Sequence, residues 1–117
     1  MKNSIFYRLK SGKCPVEDFF DSLTDKQFEK ISFVLDLIEQ LDIVPQGYFK
    51  KLKGTDDIWE VRIQYGNNIF RLLGFFDTKN VFVLNHAFIK KTQRTPRKEI
   101  AISEQRKREY LKNKGVV

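Results

Sequence analysis

The sequence predicts an α+β fold over residues 1–117, taken as one domain: a short strand, a helical hairpin, an antiparallel β-meander and a closing helix. Three observations predict it. Phe28, Ile31, Leu35, Ile38 and Leu41 recur at helical spacing and form one apolar stripe. Residues 58–65, 69–76 and 81–89 are β-prone runs separated by the turn residues Gly66-Asn67-Asn68 and Asp77 to Asn80. Thr95-Pro96 then reads as a helix cap followed by a first-turn proline, opening a polar helix to about Lys112.

Taken in order, residues 4–9 make a short strand through Ile5, Phe6 and Tyr7, ended by Ser11-Gly12. Pro15 suits the first position of a helix carrying Phe19, Phe20 and Leu23. Thr24 with Gln27 forms a capping box for the second helix. Pro45-Gln46-Gly47 turns the chain into an edge strand over 48–52, where lysines guard against edge-to-edge pairing. In residues 58–65, Trp59, Val61, Ile63 and Tyr65 face one way and Glu60, Arg62 and Gln64 the other. The run 81–89 is apolar on both faces and belongs inside the sheet. Ile100, Tyr110 and Leu111 are the few apolar anchors of the last helix.

The 117 residues carry a net charge of +7, unevenly placed. Residues 1–49 hold six Lys/Arg against eight Asp/Glu, and residues 50–117 hold sixteen against seven. The second half therefore carries the expected binding surface, with nucleic acid as the first partner and a merely solvated basic face as the plainer reading. One cysteine, Cys14, and one histidine, His86, argue against a disulfide and a zinc site. No signal-peptide pattern or membrane-length apolar run is present, so a cytoplasmic protein with no membrane partner is expected.

The chemistry centres on Arg62 and Arg71. A two-residue hairpin loop pairs Gln64 with Ile69 and sets Arg62 opposite Arg71 on one face; a three-residue loop would part them. Like charges face to face are destabilising unless an anion visits. The plainer alternative pairs each arginine with an acid such as Glu60. Lys50, Lys51 and Lys53 precede a glycine turn, and Lys90, Lys91, Arg94, Arg97 and Lys98 surround the start of the last helix, where backbone N–H groups favour phosphate. His86 is a possible acid/base group as well as an ordinary strand histidine. Tyr48 and Tyr65 could stack on a base. Arg106, Lys107 and Arg108 read as a solvated run on the helix.

The strings Lys51-Leu52-Lys53-Gly54, Ile58-Trp59-Glu60-Val61-Arg62, Tyr65-Gly66-Asn67-Asn68-Ile69-Phe70-Arg71 and His86-Ala87-Phe88-Ile89-Lys90-Lys91-Thr92-Gln93-Arg94-Thr95-Pro96 resemble the phage-derived, HigB-like branch of the RelE/ParE toxin superfamily. The resemblance implies a RelE-like fold and a type II toxin–antitoxin toxin. It implies ribosome-dependent, metal-independent cleavage of mRNA, in which a 2′-hydroxyl attacks the adjacent phosphate to give a 2′,3′-cyclic phosphate. The implied partners are mRNA on the ribosome and a helix-turn-helix antitoxin, with no cofactor; the basic Arg62–Arg71 face adds the expectation that the antitoxin is acidic where it meets it. Arg62, Arg71, and Lys90 or Lys91 match basic site positions of that superfamily. The C-terminal catalytic tyrosine of some members has no match near Thr92 to Thr95, and His86 is the substitute. The ParE branch, which inhibits DNA gyrase by binding, and a phage-derived binding protein without activity are the alternative readings.

Overall fold

The computed structural model describes residues 2–90 and 94–114. Its elements follow the expected order. They are β1 (Asn3–Phe6), α1 (Pro15–Asp21), α2 (Asp25–Gln40), β2 (Phe49–Lys51), β3 (Trp59–Tyr65), β4 (Asn68–Thr78), β5 (Val81–Lys90) and α3 (Arg97–Asn113). The five strands form one sheet in the order β1-β5-β4-β3-β2, with β1 parallel to β5 and every other pair antiparallel. This is the α+β, RelE-like arrangement that the sequence predicts. The β5 strand lies inside the sheet as expected, while β4 is its middle strand.

Helix α2 starts where the capping box requires. The Gln27 N–H donates to the Thr24 hydroxyl and the Gln27 side chain accepts from the Thr24 N–H. Its buried stripe is Ile31, Val34 and Ile38, whereas Phe28 and Leu41 remain largely exposed. Leu41 already lies past the helix end, and Phe28 turns its ring edge-on to Phe20 at the helix flank. Helices α1 and α2 cover one face of the sheet, burying Val16, Ile31, Val34 and Ile38 against Val61, Ile63, Phe70, Leu72, Phe82 and Leu84. Helix α3 covers β4 and β5 on the other face, over Ile58, Leu73, Phe75, Val83 and Phe88. The first two helices carry seven acids and two lysines, and α3 carries six cations and three acids. The sheet thus separates an acidic layer from a basic one.

With so few apolar residues, α3 is fastened largely by polar contacts. Lys107 donates to the Asp56 carbonyl at 2.6 Å, and Glu104 accepts from the Asp56 N–H at 2.9 Å. Tyr110 and Lys114 both donate to Asp77, at 2.9 and 2.6 Å. Burial first, and then the Asp77 carboxylate, push the Tyr110 hydroxyl up to about 12. The supposed solvated run is therefore divided: Lys107 is turned to the 56–57 loop and Arg106 to the sheet, leaving Arg108 on the surface.

Two local devices set the sheet's geometry. The hairpin between β3 and β4 has two loop residues, with Gly66 at φ +61°, and pairs Tyr65 with Asn68. That register sets Arg62 opposite Arg71. Between β4 and β5, Leu73 pairs with His86 but Gly74 pairs with Leu84, so Asn85 is an extra residue in the ladder. Asn85 and His86 consequently both make hydrogen bonds to α3. Gly74 lies beside this bulge, where a Cβ would overlap the Val83 carbonyl oxygen. Gly74→Ala should lower stability by about 1–3 kcal/mol, read as a lower urea midpoint at unchanged slope. An unshifted midpoint would contradict this close approach.

Candidate nucleic-acid interface

The site occupies the face of the sheet that α3 shares. Strand alternation sends Glu60, Arg62 and Gln64 from β3 to this face, together with Arg71 from β4 and Phe88 and Lys90 from β5. Lys50 pairs with Glu60 and extends the row onto β2. From Lys50 to Lys90 the cations run diagonally, across three strand spacings and four residues along the strands, roughly 20 Å, the span of a few nucleotides.

Within the row, Arg71 departs from its expected setting. It is 0% exposed, as is nearly true of Glu60 at 1%, so the two arginines are not presented together to solvent. The Arg71 guanidinium lies 3.4 Å from Glu60 Oε2 and donates to the Thr95 hydroxyl at 2.9 Å. The Thr95 hydroxyl in turn donates to the same Glu60 oxygen. Burial presses the Arg71 pKa down, Glu60 opposes this and Arg62 adds to it; a guanidinium stays charged under such pressure. Arg71 thus braces the approach to α3. Thr95 is drawn into this triad, so Pro96 becomes the N-cap of α3 and no side chain caps the helix. Glu60, held here, is not available as a base at the open surface.

His86 is likewise committed inward. Its Nε2 lies 2.7 Å from Glu99 Oε1, and its Nδ1 lies 3.3 Å from the Arg106 guanidinium. Arginine can only donate, so Nδ1 accepts and the proton sits on Nε2, donated to Glu99. The ring stacks on Phe88 at 5.4 Å between centroids. Desolvation is the main cause lowering the His86 pKa; Arg106 lowers it further, and Glu99 pulls the other way. Arg106 also donates to the Asn85 carbonyl at 2.8 Å, and Asn85 and Ser103 exchange two bonds at 2.6 and 2.9 Å. This buried polar lattice joins the bulge to α3. His86 serves it rather than an open acid/base position.

The cations that do face outward are Lys50, Lys53, Arg94, Arg97 and Lys98, with Arg62 and Lys90 half-buried. Lys51 is exposed on the opposite face of β2 and pairs with Asp57 at 2.7 Å, which holds the Asp57 carboxyl below its ordinary range. Lys91 and Thr92 lie outside the described residues. Beside Arg62 a cleft of about 450 Å³ opens, lined by Lys30, Gly47, Tyr48, Gln64 and Ile69. Tyr48 is thus brought to Arg62, while Tyr65 turns to the α1–α2 layer and cannot join it. Lys30, from the acidic half, carried no sequence signal for this site. The Asn85-His86 pair did carry one, as two adjacent polar residues in an otherwise apolar strand. Among the described residues no three His, Cys, Asp or Glu side chains gather as a metal-holding group, and no helix is long and apolar enough to cross a membrane.

Removing Arg71 strands a buried carboxylate. Arg71→Ala should cost about 3–5 kcal/mol, whereas Arg71→Met with Glu60→Leu should recover most of that in urea titrations. For His86, the folded pKa is depressed below its ordinary value near 6.5. Above that value neither state binds the proton and the group is silent. As pH falls below it the unfolded chain protonates first, so stability drops and then levels once the folded pKa is passed. The melting temperature should therefore fall from pH 7 toward 5, and His86→Gln should flatten this acid limb; an unchanged limb would exclude His86 as its source.

A family model described as "Phage derived protein Gp49-like (DUF891)" matches residues 18–108. No curated protein matches the chain. The matched span runs from α1 into α3 and takes in the whole cationic row, the Glu60–Arg71–Thr95 triad and the bulge lattice. This chain belongs to the Gp49-like family of phage-derived proteins.

Proposed function

We propose that this protein is the toxin of a type II toxin–antitoxin module and cleaves mRNA on the ribosome, with a helix-turn-helix antitoxin as its partner. The observation that carries this reading is the set of cations on the α3 face of the sheet: Lys50, Arg62 and Lys90 across the strands, then Arg94, Arg97 and Lys98 at the start of α3. Cations placed along a groove neutralise phosphates and stabilise charge that builds on a reacting phosphodiester. The Gp49-like family and the RelE-like architecture support the same assignment.

In this scheme Arg62 contacts the reacting phosphate, with Lys30 beside it and Tyr48 as the stacking surface. Arg71 acts as a positioning residue beneath them. The O2′–phosphorus bond forms as the phosphorus–O5′ bond breaks. The 2′-hydroxyl proton leaves to solvent and O5′ takes one up, giving a 2′,3′-cyclic phosphate and a 5′-hydroxyl. Orientation of the message by the ribosome supplies in-line geometry that this small face does not impose by itself. Lys90 and Lys91 are assigned to the flanking phosphates. The inward commitment of His86 and Arg71 would also suit a ParE-like gyrase binder, which needs no acid or base.

Purified protein incubated with mRNA should cut it only when programmed ribosomes are present, with product 5′ ends mapping to the decoding site. Arg62→Ala should lower the cleavage rate by about 100-fold or more in a protein that still unfolds in one cooperative transition. Equal cleavage by Arg62→Ala would remove the phosphate-binding role. Intact message together with inhibited DNA supercoiling would replace this reading with the gyrase one.

A further inference from the structure

A second concavity lies on the α1–α2 side of the sheet, running from β2 over Trp59 and Phe76 to Lys2, the residue before β1. It encloses about 720 Å³ between β2 and the 42–46 loop. Its floor is the aromatic cluster of Phe49, Trp59 and Phe76, with Trp59 stacked on Phe49 at 4.7 Å and edge-on to Phe76 at 5.4 Å. Aliphatic side chains wall it: Ile43, 87% exposed, with Val44 and Leu52. Lys2, Lys50, Lys51 and Lys53 rim it together with Asp42; Lys51 is paired with Asp57 and Lys2 donates to the Ile38 and Leu41 carbonyls, so Lys50 and Lys53 are the rim cations turned to a partner.

The edge itself is open for pairing. Strand β2 bonds to β3 on one side only and is the last strand of the sheet. Arg62 N–H donates to the Tyr48 carbonyl and Leu52 N–H to the Ile58 carbonyl. By antiparallel alternation Lys50 then faces β3, while the backbone groups of Phe49 and Lys51 point outward. The Phe49 N–H is taken by Pro45 at 3.2 Å. The Phe49 carbonyl and the Lys51 N–H and carbonyl remain directed to the outside of the ladder.

We propose that this cleft docks an acidic, extended polypeptide segment of a partner, added beside β2 with one apolar side chain seated on Trp59 and its carboxylates on the lysine rim. The aliphatic walls and the tightly self-stacked aromatic floor suit an apolar side chain better than a nucleobase. Lys50 and Lys53 select acidic flanks, and the outward backbone groups at Lys51 supply the pairing. If the toxin reading holds, this segment belongs to the antitoxin, and the proposal rests on that reading only for the partner's identity. The site lies beside the Arg62 row rather than on it, with Lys50 at the border. A partner could therefore stay attached while the RNA face is open.

Trp59 is the sole tryptophan and lines the cleft, so its fluorescence reports occupancy directly. The full chain is titrated with a short synthetic peptide alternating glutamate with valine around a central phenylalanine. A lysine-for-glutamate version and a short single-stranded RNA serve as comparisons. Saturable change in Trp59 emission is expected with the acidic peptide, weakening as salt is raised. Ile43→Glu, at a side chain too exposed to matter for folding, and Lys53→Glu should each weaken binding on the order of tenfold. Ile43→Glu should keep full ribosome-dependent cleavage, which separates this site from the RNA face. No emission change, equal binding of the basic peptide, or undiminished binding to both variants would overturn the proposal. A response to RNA instead of peptide would overturn it as well and give the cleft to nucleic acid.

Discussion

The buried contact among Arg71, Glu60 and Thr95 ties the approach to α3 to two neighbouring strands of the sheet at once. Glu60 comes from β3, Arg71 from β4 and Thr95 from the approach to α3. The ion pair is fully desolvated, so its two charges tolerate little change of separation. The position where α3 begins is thereby fixed against the middle of the sheet. The outward cations inherit that fixation: Arg62 is Arg71's cross-strand neighbour, and Arg94, Arg97 and Lys98 flank Thr95. A surface made of flexible side chains gains definition from a rigid pair underneath it.

The lattice around the Asn85 bulge performs the corresponding task farther along α3. An extra residue in β5 turns two polar side chains toward the helix at once, and Glu99, Ser103 and Arg106 receive them at one-turn intervals. A helix with so little apolar surface would otherwise hold weakly. Its attachment rests on hydrogen bonds with defined geometry, which specify angle and register more sharply than apolar contact does.

Much of this architecture was legible from residue order. Helix α2 follows from Thr24 and Gln27, whereas the register of Arg62 on Arg71 was legible only as one of two, and the two-residue Gly66-Asn67 loop selects it. The alternation of Trp59 to Tyr65 gave the two faces of β3 correctly. Burial within the polar face was not legible. Alternation says which face a side chain leaves from, not whether a later segment covers it, and Arg71 is covered by a threonine 24 positions away. The same threonine misled as a cap, because a hydroxyl near a buried carboxylate and guanidinium gains more there than at a helix terminus open to water. Lys30 joined Arg62 through tertiary packing of α2 beside Tyr48, which no local pattern encodes.

The separation of charge across the sheet has a consequence for how this molecule meets a large polyanion. With seven acids against two lysines on the α1–α2 side and a cationic excess on α3, the protein carries a permanent dipole along the direction in which its layers stack. In the field of any extended polyanion a protein with such a charge distribution experiences a torque as well as an attraction. It therefore arrives turned, basic face leading, before any contact forms. Fewer collisions are wasted on the wrong orientation, and the gain fades once salt shortens the reach of that field.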